Sequence, residues 1–98
     1  MNNDEDLMSH LISAFAEETP KLLEAIRAAI DANDVKKLQH NAHTLKGSMR
    51  LFAADQGYEL AYALEASGDQ IQPGAAKTLC DLEKEVEKVT AELTAFHG

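Results

Sequence analysis

The sequence predicts an all-α fold, an up-down antiparallel four-helix bundle with an additional short N-terminal helix. Its 98 residues allow one domain, expected to span residues 1–98, with one modest core. Ala, Leu, Glu and Lys dominate the composition and only 5% of the residues are aromatic, which is typical of helical proteins. Apolar residues recur at the helical period, and short connections between successive helices make neighbours antiparallel.

The first two predicted helices are separated at Thr19-Pro20. The short first helix starts after Asn3 or Asp4 and carries apolar residues four positions apart: Leu7, Leu11 and Phe15. Thr is a favourable N-cap and Pro suits the first helical position, so Thr19 and Pro20 begin a second helix. Its apolar face consists of Leu22, Leu23, Ile26, Ala29 and Ile30.

Three further helices complete the predicted bundle. Asp34 caps the third, expected over about residues 35–53, and its inner stripe is Val35, Leu38, Ala42, Leu45, Met49 and Phe52. After a break near residues 53–55, the fourth helix runs until Gly68 stops it. Pro73 opens the fifth, whose apolar residues follow the three- and four-residue spacing of bundle helices: Leu79, Leu82, Val86, Val89, Leu93 and Phe96.

The charge distribution restricts the partners of the chain. The formal net charge is −8 at pH 7, which repels nucleic acid and anionic lipid, so we expect neither as a partner. From Val35 to Ala54 there is no acidic residue, whereas four basic residues stand there: Lys36, Lys37, Lys46 and Arg50. This basic strip indicates a site for a negatively charged group, although an ordinary solvated helix face would explain the lysines equally well.

The cysteine content, the apolar runs and the N-terminal residues predict where the protein is located. The single Cys80 cannot form an internal disulfide, so an oxidising compartment is not needed. No apolar run approaches the roughly 20 residues that cross a bilayer, and the N-terminus does not resemble a signal peptide. We therefore expect a cytoplasmic protein without membrane contact.

His43 is the candidate reactive residue of the third predicted helix. At roughly 100° per residue, it lies about 130° from the centre of the apolar stripe and faces water. Gly47, one turn further on, is unexpected, because an exposed mid-helix Gly costs roughly 1 kcal/mol relative to Ala. A missing side chain beside His43 suggests that another molecule approaches it, although a tolerated surface Gly or a bend is the alternative. The same exposed side is expected to carry Lys36, Gln39, His40, Lys46 and Arg50.

Residues 42–48, Ala-His-Thr-Leu-Lys-Gly-Ser, resemble the signature of histidine phosphotransfer (HPt) domains, the phosphoryl carriers of two-component phosphorelays. The resemblance extends to Phe15, Glu17, Glu18 and Pro20 before this motif and to Leu64-Glu65 after it. It implies a four-helix bundle in which His43 is phosphorylated. Two residues depart from the family pattern: Ala53 stands where many relatives have a turn Gly, and Gly57 stands where a large apolar residue is usual.

Glu65 is the predicted partner of His43. Residues equidistant from the turn of an antiparallel hairpin lie at the same height, and residue 54 is midway between the two. A carboxylate at that height could accept a hydrogen bond from Nδ1 of His43 and leave Nε2 free. The resemblance agrees, since relatives carry Gln or Glu here; a solvent-facing glutamate is the alternative. Tyr58 and Tyr62, on the same side, either border the docking surface or pack on neighbouring helices.

The resemblance implies a phosphoryl relay. His43 would accept a phosphoryl group from a receiver-domain aspartate or a cognate kinase and pass it to a response-regulator aspartate. Lys46 would pair with the phosphoryl oxygens, and Arg50 or Lys36 would attract them from further away. Receivers would dock around Gly47, Gln39 and His40. We expect a monomer without a cofactor and without autokinase activity, Mg²⁺ supplied by the receiver, and a hybrid histidine kinase as a further partner in cis or in trans.

Other readings remain open. Glu65 also suits the phosphoacceptor module of a chemotaxis-type histidine kinase, although the Lys-Gly-Ser run favours a phosphorelay module. The hairpin of a dimeric histidine kinase fits less well, because its phosphorylated His is typically followed by an acidic residue and here Thr44 follows. His40 and His43 could contribute to a metal site. A purely structural or adaptor bundle is a further alternative, in which neither histidine has a chemical role.

Overall fold

Four helices make up the computed structural model, which describes residues 3–97 and the side chains of residues 7–95. They are α1 (Asn3–Asp31), α2 (Val35–Leu51), α3 (Asp55–Glu65) and α4 (Ala75–His97). Helix α2 packs against α1 and α3, and α4 packs against the same two helices, so successive helices close an up-down bundle. The described residues contain no strand. The predicted all-α four-helix bundle is therefore confirmed.

The predicted break at Thr19-Pro20 is wrong, and the short N-terminal helix is the first part of α1. Thr19 does not act as an N-cap: its buried hydroxyl donates a hydrogen bond to the carbonyl of Phe15 at 2.7 Å, within the preceding turn. Phe15, Leu23 and Ile26 are buried on both sides of the proline, while Pro20 itself is exposed. Packing on both sides keeps the helix continuous, because tertiary contacts outweigh the local preference of one proline.

The first turns of α1 extend past the partner helix. Helix α1 has 29 residues and α2 has 17, and the rings of Phe15 and Phe52 meet edge to face at 5.2 Å. Phe15 therefore lies level with the end of α2. Leu7, which the apolar spacing assigned to the core, is two turns further out and is 59% exposed. Leu11 is half-buried. The side chain of Phe96 lies outside the described residues.

Packing inside the bundle follows the predicted stripes. The fully buried large side chains come from all four helices: Ile26, Leu38, Leu45, Met49, Leu64, Leu79 and Leu82. Asp34 caps α2 as predicted, since its carboxylate accepts a hydrogen bond from the backbone N–H of Lys37 at 3.2 Å. None of the described helices combines the length and the apolarity that crossing a membrane requires.

The turn between α2 and α3 contains a residue in the left-handed region. Helix α2 ends at Leu51, two residues before the predicted end, and Ala53 has φ of +54°. The N–H of Ala54 donates to the carbonyl of Met49 at 2.9 Å, which is the bond of a Schellman closure. Ala53 thus takes a backbone conformation that favours glycine, the residue that the family resemblance leads one to expect at this turn. At the other end of α3, which stops at Glu65, Gly68 has φ of +73°.

Ala53→Gly should stabilise the domain. An L-residue is strained in the left-handed region and glycine is not, so we expect a gain of about 0.5–1 kcal/mol in the free energy of unfolding after the entropy of glycine is subtracted. Urea unfolding measures it. The matched control is Gly68→Ala, which introduces the same strain and should lose a similar amount. A destabilised Ala53→Gly variant would contradict this account of the turn.

Gly57 allows α2 and α3 to pack closely. It is buried in α3, and a Cβ at this position would lie 2.5 Å from Sδ of Met49. The side chain of Met49 therefore occupies the volume where the family resemblance leads one to expect a large residue at position 57. The departure from the pattern is compensated from the facing helix, and the two helices that carry His43 and Glu65 stay in contact.

Candidate functional site

His43 projects from the middle of α2 into solvent. Its neighbours Ala42 and Leu45 are fully buried, whereas the His43 side chain is 66% exposed. This is the orientation that the helical wheel predicts, because residue 43 lies on the side of α2 opposite to the packed stripe. The imidazole is therefore accessible to another protein, and its removal would take no packing away from the core.

Glu65, the last residue of α3, meets His43 across the helix hairpin. Its Oε2 lies 2.6 Å from Nδ1 of the imidazole, at the height expected from the equal distances to the turn. The Glu65 side chain is only 24% exposed. An ionised carboxylate accepts hydrogen bonds, so Nδ1 of neutral His43 carries the proton and Nε2 carries the lone pair.

Lys46 binds the same carboxylate. Its Nζ lies 2.6 Å from Oε1 of Glu65, and its side chain is 19% exposed. The expectation that Lys46 stands on the solvent side beside His43 is therefore corrected: the side chain turns toward α3, which covers this flank of α2. Its ammonium lies 5.8 Å from the ring centroid of Tyr58 and 5.1 Å from that of Tyr62. One glutamate thus holds both the histidine and the lysine.

The charges in this cluster reinforce one another. The close contact with Lys46 lowers the pKa of Glu65, partial burial opposes this, and the hydrogen bond with His43 lowers the pKa further. The same carboxylate raises the pKa of Lys46. Both groups therefore carry their charges at neutral pH, and a carboxylate anion faces Nδ1 of His43. A negative charge there stabilises positive charge that develops on the ring.

Gly47 lies on the exposed face of α2, one turn after His43. Apart from its own turns of α2, a Cβ at this position would meet no atom within 4 Å. Close packing within the domain therefore does not require glycine at this position. The space beside His43 on this face of α2 is therefore open.

The other predicted site residues are spread along α2. Lys36, His40 and Arg50 are exposed, and Lys36 and Arg50 stand about 10 Å along the helix axis on either side of His43 at 1.5 Å per residue. Gln39 is not free on this surface, because its Nε2 donates to the carbonyl of Gly68 at 2.9 Å. It holds the connection between α3 and α4 against α2.

The two tyrosines around Lys46 are the part of the site that the sequence leaves open. Tyr58 is half-buried and packs against the core, and Tyr62 is 50% exposed. The sequence shows that the two tyrosines are one turn apart and lie on the same side of α3 as Glu65. It does not show their contact with Lys46, because that contact forms only when α2 and α3 pack together. Among the described residues, no three His, Cys, Asp or Glu side chains form a group that could hold a metal ion.

Acid should weaken the bundle through Glu65. A carboxyl group whose pKa is depressed by folding contributes stability above its unfolded pKa, near 4.5, and that stability is lost as the pH falls through the folded pKa. We therefore expect the free energy of unfolding to decrease between about pH 6 and pH 3, and to decrease less in Glu65→Gln.

Urea unfolding at a series of pH values checks this expectation. Glu59→Gln is the control, because Glu59 is an exposed carboxyl group on the same helix, and this variant should keep the slope of the wild type. Identical pH dependences of the wild type and Glu65→Gln would show that the pair with Lys46 does not stabilise the fold.

The chain matches a known protein family over most of its length. The family model described as Hpt domain matches residues 10–95, which include all of α2 and α3, most of α1 and α4, and the whole cluster around His43. Neither the curated proteins nor the solved structures gave a match. Hpt domains transfer phosphoryl groups through a histidine in phosphorelays and interact there with receiver domains. With a match over most of its length, the chain belongs to the Hpt domain family.

Proposed function

We propose that this chain carries a phosphoryl group on Nε2 of His43 between the aspartates of receiver domains. The observation that carries the proposal is the exposed imidazole whose Nδ1 lies 2.6 Å from a carboxylate oxygen of Glu65. That bond selects the tautomer with a lone pair on Nε2, which is the nucleophile that an acceptor histidine needs.

The transfer exchanges one bond to phosphorus for another. The Nε2 lone pair forms the N–P bond while the P–O bond to the receiver aspartate breaks and its electrons leave as the carboxylate. Nδ1 keeps its proton, so the phosphorylated ring is formally cationic and the Glu65 carboxylate neutralises it. In the reverse step the P–O bond to a second aspartate forms and Nε2 recovers its lone pair. Positioning and charge compensation are the main contributions a protein makes to phosphoryl transfer.

Lys46 contributes the positive charge nearest to the phosphoryl group in this proposal. Its ammonium is paired with Glu65, and from this position its charge attracts the oxygens of a phosphoryl group on His43. Arg50 and Lys36, exposed further along α2, attract the anionic partner from a longer distance.

Receiver domains dock on the exposed face of α2 around Gly47 and His40 in this proposal. In this proposal the chain needs no cofactor of its own for the transfer, because the receiver supplies the Mg²⁺ and the aspartate that leaves. A hybrid histidine kinase, in cis or in trans, supplies the phosphoryl group. The chain acts as a monomer in the cytoplasm and has no autokinase activity.

Transfer from a phosphorylated receiver tests the proposal. Receivers labelled on their aspartate are mixed with the domain, and the label is followed on the domain. We expect the label to reach the domain and to be acid-labile and alkali-stable, as a phosphohistidine is. The proposal is overturned if a panel of labelled receivers transfers nothing, or if the label on the domain survives acid.

A second candidate is the phosphoacceptor module of a chemotaxis-type kinase. The ionised Glu65 in contact with both His43 and Lys46 favours it, because a carboxylate at this position suits that class. The two candidates differ in the donor. Rapid labelling by ATP and a separate kinase catalytic domain, with slow transfer from receivers to His43, would favour the chemotaxis-type module.

A further inference from the structure

Tyr62 places a large aromatic ring at the edge of the phosphoacceptor cluster. The residue is 50% exposed and lies three residues before Glu65 on α3. Its ring centroid is 5.1 Å from Nζ of Lys46, within the roughly 6 Å over which a cation is attracted to an aromatic face. The ring of Tyr58 lies 5.8 Å from the same ammonium. The two rings meet edge to face with centroids 6.3 Å apart, so each supports the other.

Lys46 needs such support, because a lysine side chain has a long flexible stem. A carboxylate alone holds an ammonium weakly near the surface, where water competes for both groups. Oε1 of Glu65 is shielded from solvent, so this oxygen depends on Lys46 for its counter-charge. An aromatic face attracts the ammonium without occupying either oxygen of Glu65, and it excludes water from one side of the pair.

We propose that Tyr62 is a positioning residue for phosphotransfer: its ring keeps the Lys46 ammonium beside Glu65 and so keeps Glu65 aligned with His43. The contacts form a continuous series from the Tyr62 ring to Lys46, from Lys46 to Oε1, and from Oε2 to Nδ1 of His43. Tyr62 touches no reacting atom and acts through Lys46. The inference rests on the proposed function of His43.

Two substitutions separate the ring from the hydroxyl group. Tyr62→Phe keeps the aromatic face, whereas Tyr62→Leu removes it and keeps an apolar side chain. The first readout is the initial rate at which phosphoramidate, a small donor that needs no docking surface, labels His43. The second is the tautomer ratio of the His43 ring, obtained from its ¹⁵N chemical shifts. Neither depends on contact with a receiver.

Tyr62→Leu should lower the rate of labelling roughly two- to fivefold. This factor corresponds to the free energy of a cation–π contact at an exposed site. It should also lower the fraction of the tautomer with the proton on Nδ1. Tyr62→Phe should match the wild type in both. Leu51→Ala, which shortens an apolar side chain exposed at the end of α2, is the control for a general surface effect and should leave both readouts unchanged.

The other outcomes overturn the role of Tyr62. If Tyr62→Leu labels at the wild-type rate with the wild-type tautomer ratio, the ring does not position Lys46. If Tyr62→Phe loses as much as Tyr62→Leu, the hydroxyl group and not the ring is responsible. If only transfer from receivers is slowed, Tyr62 is a docking contact. A wild-type domain that accepts no phosphoryl group from any donor would overturn the proposed function together with this inference.

Discussion

His43→Gln should accept no phosphoryl group, while its helical circular dichroism and its urea unfolding stay close to those of the wild type. The side chain is exposed, so its replacement opens no cavity, and a surface change of this kind alters the free energy of unfolding by about 0.5 kcal/mol or less. The Gln amide has a donor for Glu65 but no nucleophilic nitrogen. Transfer from a labelled receiver, measured beside unfolding, gives both results.

His40→Gln is the matched control for this substitution. His40 is exposed one turn earlier on α2, and its carbonyl accepts a hydrogen bond from the Thr44 hydroxyl at 3.1 Å, which the substitution leaves in place. This variant should be labelled by phosphoramidate at the wild-type rate, because that small donor needs no docking surface, whereas His43→Gln should not be labelled. Loss of labelling in His40→Gln with retention in His43→Gln would mean that the reactive histidine is on the preceding turn.

Gly47→Gln should reduce transfer from a receiver by about 100-fold, because a misplacement of about 1 Å between reacting groups can cost that much. The fold should be kept, since a side chain at this position has free space in the isolated domain and Gln is a better helix former than Gly. The new side chain would stand beside His43 and hold the receiver away. Phosphoramidate, a small donor, should be hindered less.

Gly47→Ala controls for the effect of helix propensity. It should stabilise the domain by up to about 1 kcal/mol, because Ala is preferred over Gly in mid-helix, and it should slow receiver transfer less than Gly47→Gln does. Equal receiver-dependent rates for the wild type and Gly47→Gln would show that the open space is not a docking clearance. A destabilised Gly47→Ala variant would point to a bend in α2.

The bundle and the pair of His43 with Glu65 could be predicted because both depend on local periodicity. The 3.6-residue period determines which residues of a helix are buried, and His43 stands opposite the resulting stripe. A short turn centred at residue 54 then determines that Glu65 is the residue of α3 that lies level with His43. These arguments need only the helical repeat and the position of one turn.

Residues whose environment depends on a neighbouring helix could not be predicted in this way. Pro20 reads as a helix start, but α1 continues through it because apolar residues on both sides are buried. The wheel placed Lys46 beside His43 in solvent, yet α3 covers it and Glu65 binds it. The room that Gly57 leaves for Met49 likewise involves two helices. In each case the deciding contact is tertiary, and a pattern within one helix contains no information about it.

The position of the phosphoryl group on the imidazole tests the central claim most directly. The domain, labelled with ¹⁵N in its histidine rings, is phosphorylated by a receiver, and ³¹P and ¹⁵N NMR spectra identify the nitrogen bonded to phosphorus. We predict the N–P bond at Nε2 of His43, with the proton retained on Nδ1 beside Glu65. Phosphorylation at Nδ1 of His43, or at any other residue, would contradict the account.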